Sequence, residues 1–322
     1  MMRRFLTIPA VAAFVYVGLQ SAVGTSAIQP QAGVSIRHDA AAGEYAVTVA
    51  GKTFTGYQYG KDFREKPAFY PVVAPNGARV NREYPMVPNV AGETTDHPHH
   101  QSMFFAYDEV NGTNFWNPEA TARHIEHLRA TVAGSTLTAD LAWKDKDNAV
   151  VLTETKRVTF GGGGDVFWMD HDITLTAPRV AVSMGDTKEG AFAIRLNDTL
   201  KENGGSGRYI NAEGLETAAN VWGKTSAWVA IRGTVKEAAA TKNVTVAIFA
   251  HKAGLNFPPY WHARDYGLFA ANPFGRKSYD PAAPQRITRL AVGESARVRF
   301  RLAVYDGQVS KARLDQDYAA LP

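Results

Sequence analysis

The sequence predicts an all-β protein, a large antiparallel β-sandwich closed by one C-terminal helix. Three observations predict it. Apolar and polar residues alternate with period two along the chain, helical periodicity is confined to the last residues, and no linker interrupts the pattern.

The first element is a secretory signal. Arg3 and Arg4 form a short basic start, and Phe5–Leu19 is an apolar run broken by Thr7, Pro9 and Gly18. Ala22 and Ala27 follow as cleavage points, so 1–27 reads as a signal peptide and cleavage is expected between Gly18 and Gln31. A membrane anchor is the competing reading, but the run is too short and interrupted for a stable spanning helix. Residues 32–322 then form a single β-sandwich domain in a periplasmic or secreted product.

Strand signals recur throughout this region. Leu137, Leu141 and Trp143 alternate with Thr136, Thr138 and Asp140, and Val244, Val246 and Ile248 repeat the spacing. Phe167, Met169, Ile173 and Leu175 do the same, as do Val298, Phe300, Leu302 and Val304 against Arg297, Arg299 and Arg301. The run Gly161–Gly164 with Asp165 separates two strands, which makes it a hairpin turn; a phosphate loop would lead into a helix. The C-terminal helix is expected over 309–321, with Val309, Leu314 and Tyr318 packing inward. Two segments resist strand assignment, Ala74–Thr95 and the Pro- and aromatic-rich Ala253–Ala263. Long irregular loops in a compact domain are commonly functional.

Composition excludes several functions. The chain has no Cys, so disulfides, thiolate metal sites and Cys nucleophiles are out. Without Arg3 and Arg4, the 35 basic residues become 33 against 31 acidic ones, a near-neutral balance. No Lys/Arg cluster of the kind nucleic acid needs is present. Nothing matches a nucleophile elbow, a His-Glu-x-x-His zinc helix or a dinucleotide loop.

Three stretches carry the chemistry. Asp96-His97-Pro98-His99-His100-Gln101 places three imidazoles and a carboxylate directly before an apolar strand. Imidazole titrates near neutrality and also ligates metals, so acid–base work and metal binding are both open, beside a plain polar loop. In an extended chain His97 and His99 point to one side and His100 to the other. Trp261-His262-Ala263-Arg264-Asp265-Tyr266, leading to Asn272, mixes aromatic, imidazole, guanidinium and carboxylate groups. That mixture suits a polyhydroxylated ligand, and a buried Arg–Asp brace is the structural alternative. Lys188-Glu189 begins a strand on which Arg195 alternates with apolar neighbours and so faces a cavity. His124 and His127 have a helical spacing on what reads as a strand. His171 shares an apolar face and reads as a satisfied core histidine, while His251 ends a strand from which it could approach His262.

Four segments resemble a family of secreted bacterial proteins catalogued as methane oxygenase PmoA. They are Asp96–Trp116, Gly185–Arg195, Asn211–Leu215 with Trp222-Gly223-Lys224, and Trp261–Gly275. Gln101 stands where Arg or Lys is expected in many relatives. The name describes a multi-span membrane protein, and this chain has no such spans. The resemblance implies instead a place in carbohydrate degradation and a supersandwich-like fold similar to that of aldose epimerases.

The leading expectation is an exported carbohydrate-acting hydrolase, lyase or epimerase. His97, His100 and His262 are its candidate imidazoles, with Glu189 or Asp265 as the partner carboxylate. Lys188, Arg195, Lys224, Arg264 and Asn272 are expected to hold substrate, and Trp261 and Tyr266 to stack on it. This reading requires no cofactor. A metal-dependent oxygenase or hydrolase is the alternative, with copper or zinc on His97, His99 and His100 or His262. A non-catalytic sugar-binding sandwich is the third. All three take a carbohydrate or related small molecule, and none takes nucleic acid or a stable place in a membrane.

Overall fold

The computed structural model describes residues 33–60, 65–117, 124–237 and 240–322. The predicted signal peptide lies outside them. Period-two alternation becomes burial along the strands: on β9 (Val166–Thr176) Phe167, Met169, His171, Ile173 and Leu175 face the core and their neighbours do not.

Strands are numbered in chain order. One eight-stranded sheet runs β1 (Val34–Asp39), β2 (Glu44–Val49), β3 (Lys52–Gln58), β4 (Ala68–Val72), β5 (Met103–Tyr107), β11 (Gly190–Arg195), β16 (Leu268–Asn272) and β15 (Tyr260–Ala263). The other runs β12 (Arg208–Asn211), β13 (Trp228–Glu237), β14 (Ala240–Ala250), β18 (Ser295–Asp306), β9, β8 (Val150–Gly163), β7 (Thr136–Lys144) and β6 (His124–Ala133). β10 (Val182–Met184) and β17 (Thr288–Leu290) form a separate ribbon. The pairings are antiparallel, as predicted.

Aromatic contacts tie the two large sheets face to face. Phe54 of β3 meets Phe167 of β9 at 5.5 Å, and Phe192 of β11 stacks on Phe300 of β18 at 4.9 Å. Phe105 of β5 meets Trp143 of β7 at 6.1 Å. Full burial of each such side chain contributes about 1.5–3 kcal/mol. The sandwich core is therefore built by the residues whose spacing predicted it.

The C-terminal helix α2 spans Lys311–Ala319, shorter than the expected 309–321. Ser310 caps it by accepting the Arg313 N–H at 3.2 Å. Leu314 is fully buried against Trp228, Phe249 and Tyr305 on the outer face of the second sheet. A four-residue helix α1 (Ala218–Val221) was not expected. The glycine run closes a hairpin: Gly163 pairs with Val166, Gly164 turns with φ +60°, and a Cβ on Gly162 would lie 2.3 Å from the Val166 carbonyl.

Two expectations need correction. Ala253–Ala263 is not wholly irregular, since Tyr260–Ala263 becomes edge strand β15 on β16. His171 is buried in the core, but neither ring nitrogen has a hydrogen-bond partner. Burial first and Lys156 second hold it well below the usual imidazole range, hence neutral. His124 and His127 lie on strand β6, as read from the sequence, and the His127 Nδ1 pairs with the Tyr57 hydroxyl at 3.2 Å.

Candidate functional site

The outer face of the first sheet positions the site. Cross-strand register aligns Phe104, Ala193, Ala270 and His262 in one row, with Ala106 and Ala191 paired beside it. Alanines there leave a shallow floor, and the loops before β5 and β11 rise around it. On β11, Arg195 shares this face with Ala193 and Ala191, while Phe192 and Ile194 point into the core.

Above this floor lies a cavity of about 260 Å³ lined by His97, His99, His100, Asn114, Trp116, Asn117, Glu189 and Tyr266. The histidine segment is not extended, which overturns the expected split of its rings. His97 adopts φ +49° and the His100 N–H donates to the His97 carbonyl at 3.0 Å, closing a tight turn. The turn stacks His97 on His100 at 4.8 Å and 4°. His97 also stacks on Tyr266 at 5.1 Å and 5°, and His99 meets His100 edge-on at 4.4 Å.

Asp96 anchors this turn. Its Oδ1 accepts from Arg82 Nη1 at 2.7 Å and from Arg195 Nη2 at 2.8 Å. Its Oδ2 accepts from Arg195 Nη2 at 3.0 Å and pairs with His97 Nδ1. Burial pushes the Asp96 carboxyl up, but the His97 hydrogen bond and the Arg195 and Arg82 charges outweigh it. The group is held well below the usual carboxylate range and stays ionised. An ionised carboxylate only accepts, so the His97 Nδ1 is the donor of this hydrogen bond. Arg82 is wholly buried and also donates to the Asp96 carbonyl at 2.8 Å, the His97 carbonyl at 3.2 Å and the Tyr84 carbonyl at 3.1 Å.

The opposite wall is Glu189. Burial raises its pKa, Asp108 adds to the rise, and Lys188, Arg264 and His97 oppose it. The Lys188 Nζ lies 3.8 Å from its Oε1. His100, beside the Arg195 guanidinium at 3.4 Å, is held neutral by burial first and then by the charges of His99 and Arg195.

The structure therefore brings His97, His100, Glu189 and Tyr266 to one cavity. Arg195 lies just behind them and Lys188 at the rim. It does not bring the rest. Strand alternation turns Trp261 to the core, where it is fully buried with its indole N–H on the Ser226 carbonyl at 3.0 Å. Asn272 is fully buried too; its Nδ2 donates to the Thr187 carbonyl and the Tyr279 hydroxyl, and its Oδ1 accepts the Phe274 and Gly275 N–H groups. Lys224 is exposed and outside the cavity lining. His262 lies in the outer row but is buried under Tyr279, and burial, Arg264 and Lys188 push it down to about 3. His251 is placed elsewhere, its N–H on the Arg299 carbonyl and its side chain beside Tyr318. Asp265 and Arg264 line a neighbouring cavity.

The three clustered imidazoles stack face to face and edge to face. Among the described residues no group of three or more His, Asp or Glu side chains is arranged to hold a metal ion. Sequence reasoning also missed Lys66, Arg82, Asn114 and Trp116. The Lys66 Nζ lies 4.8 Å over the Phe104 ring, on which Trp116 packs at 5.0 Å. Arg82 comes from the irregular Ala74–Thr95 segment, whose length was the available signal.

Fold and cavity together define a large antiparallel β-sandwich with an imidazole–carboxylate site on the outer face of one sheet. The chain belongs to DUF6807, a family of unknown function, whose profile matches residues 44–319. No curated protein matches it. Among solved structures it is similar to an α-galactosidase from Lactobacillus brevis, at 8% identity over 87% of this chain and 40% of that one, TM-score 0.44. A variant of the α-galactosidase AgaA from Geobacillus stearothermophilus, in complex with raffinose, gives 9% identity over 85% and 41%, TM-score 0.41. The galactosidase domain of the α-galactosidase–sucrose kinase AgaSK gives 10% over 85% and 42%, TM-score 0.40. The chain spans about two fifths of the length of each. No helix among the described residues is long and apolar enough to cross a membrane.

Proposed function

We propose that this protein is a carbohydrate-acting enzyme, an epimerase or an eliminating lyase, in which His97 takes a proton from a substrate carbon and Glu189 gives one to the substrate or its leaving group. One observation carries the reading: the Asp96-braced imidazole and a carboxyl of raised pKa line the same cavity. A base of fixed tautomer can take a proton at Nε2 while a protonated carboxyl returns one.

The pairing favours proton transfer over hydrolysis by two carboxylates. Among the described residues Glu189 is the one carboxyl in the cavity lining, and Asp96, behind it, is engaged by Arg82, Arg195 and His97. The walls suit a sugar: Tyr266, half-buried and stacked on His97, offers an aromatic edge, and Asn114 offers an amide for hydroxyls. The basic start and apolar run at Arg3–Leu19 support export as the setting.

The test is incubation of the purified protein with a panel of glycosides and oxidised glycosides in deuterated water, followed by mass spectrometry. Deuterium gained at one carbon, or an unsaturated product, is expected, and both are lost in the His97→Asn variant. Hydrolysis products without deuterium at carbon, or turnover that survives His97→Asn, would overturn the assignment.

A further inference from the structure

We infer that the cavity beside the histidine site is a second sugar-ring subsite, making the substrate a disaccharide or glycoside rather than a free monosaccharide. This deepens the proposed carbohydrate reading and rests on it. The second cavity, of about 470 Å³, is lined by Trp222, Arg264, Asp265, Glu202 and the small side chains Ala218 and Ala219. It is larger than the first, and one tight turn forms the rim between them.

That turn is closed by its own backbone. The Arg264 N–H donates to the Leu268 carbonyl at 2.8 Å, and the Gly267 N–H to the Arg264 carbonyl at 3.0 Å. Consecutive residues consequently face different cavities: Arg264 and Asp265 line the second, and Tyr266 lines the first. The Arg264 guanidinium lies 5.5 Å from the Tyr266 ring centre, so it stands at the boundary. A ligand crossing the rim would meet it from either side.

The lining has the chemistry of a polyhydroxylated ring site. Trp222 supplies an aromatic face, Arg264 a fork of donors, and Asp265 an exposed carboxylate acceptor. Glu202 is already committed, accepting the Tyr209 N–H at 2.9 Å and the Ala218 N–H at 2.8 Å, and so fixes the wall. Ala218 and Ala219 on α1 keep the floor low. The indole N–H of Trp222 is buried without a hydrogen-bond partner, as is that of Trp116 in the first cavity. Each cavity thus holds its own indole reporter.

The experiment labels the full chain with ¹⁵N-tryptophan, which gives six indole signals, and assigns two of them with Trp116→Phe and Trp222→Phe. Maltose, cellobiose, lactose and melibiose are titrated beside glucose and galactose. At least one disaccharide is expected to shift both signals, and a monosaccharide only that of Trp116. Trp222→Ala is expected to weaken disaccharide binding about tenfold more than monosaccharide binding, as one lost ring contact does. Asp265→Ala, at an exposed position, gives the same readout if Trp222→Ala does not fold. A disaccharide that shifts Trp116 and leaves Trp222 unmoved overturns the subsite alone. Shifts of Trp222 without Trp116 overturn the shared substrate. No shift of either indole with any sugar of the panel sinks the carbohydrate reading, and the subsite falls with it.

Discussion

His97 joins Asp96 through Nδ1 and Oδ2, although the two side chains are consecutive in sequence and similarly exposed to solvent. Adjacent side chains on a strand would diverge. The left-handed backbone at His97 turns its ring back over the carboxylate. Two buried arginines then hold that carboxylate in place, so the pair is set by residues 14 and 99 positions away.

His97 can be tested without disturbing the fold. Its side chain is 41% exposed, and its φ of +49° suits Asn better than Ala. His97→Asn is expected to lower kcat by about 10²–10⁴ with the melting temperature almost unchanged. A large drop in melting temperature would assign His97 a structural task instead.

Arg82 should behave in the opposite way. Arg82→Met removes a wholly buried guanidinium and strands the Asp96, His97 and Tyr84 carbonyls it serves. Breaking such a network costs about 3–5 kcal/mol, readable as a lower urea midpoint. Arg195 still holds Asp96, so the surviving folded fraction should retain measurable turnover.

These two residues show what could be read from the sequence. Period-two spacing disclosed the strands and the sandwich, and a helical spacing of Val309, Leu314 and Tyr318 the C-terminal helix, because burial on one face forces each period. The Asp96–His100 cluster was legible as chemistry. Its geometry was not, since an extended reading separates His97 from His100 and only the turn reunites them. Trp261 and His262 are neighbours of equal promise in sequence. Which faces the core depends on the register of β15 on β16, and alternation alone does not choose. Arg82 reaches Asp96 because the Ala74–Thr95 loop folds back beside β11, through the Asn81–Leu196 bridge, and no local signal encodes that.

Acid should destabilise the protein above the carboxylate range. His100, His171 and His262 are all held neutral by burial, with folded pKa values below the ordinary value near 6.5. For a depressed histidine, stability is full above the unfolded pKa and declines as pH falls below it toward the folded value. Each group contributes a slope of up to about 1.4 kcal/mol per pH unit. Urea midpoints are expected to fall between pH 6.5 and 5. His171→Leu should flatten that fall and add about 1–3 kcal/mol at pH 5, since it removes two unpartnered buried nitrogens. An unchanged slope in this variant would show that other groups govern the acid limb.

Glu189 carries the reverse sign, and this separates its chemical role from a structural one. Burial raises its folded pKa above the unfolded value. Its contribution to stability is therefore full below the unfolded carboxylate range and is lost as pH rises through the folded pKa. Above that point the protein holds a desolvated charge, opposed only in part by Lys188 and Arg264. Glu189→Gln keeps the shape and removes the charge. The variant should match the parent in urea at pH 4 and exceed it at pH 8, so that the two midpoint curves diverge as pH rises. Turnover should move the other way, falling by about 10²–10⁴ because an amide cannot return a proton. If Glu189 is the acid of the proposed reaction, activity and stability trade against each other at this one carboxyl. If Glu189→Gln instead loses stability at pH 8, the carboxylate is a brace for Lys188, and the proton donor must be sought elsewhere in the cavity.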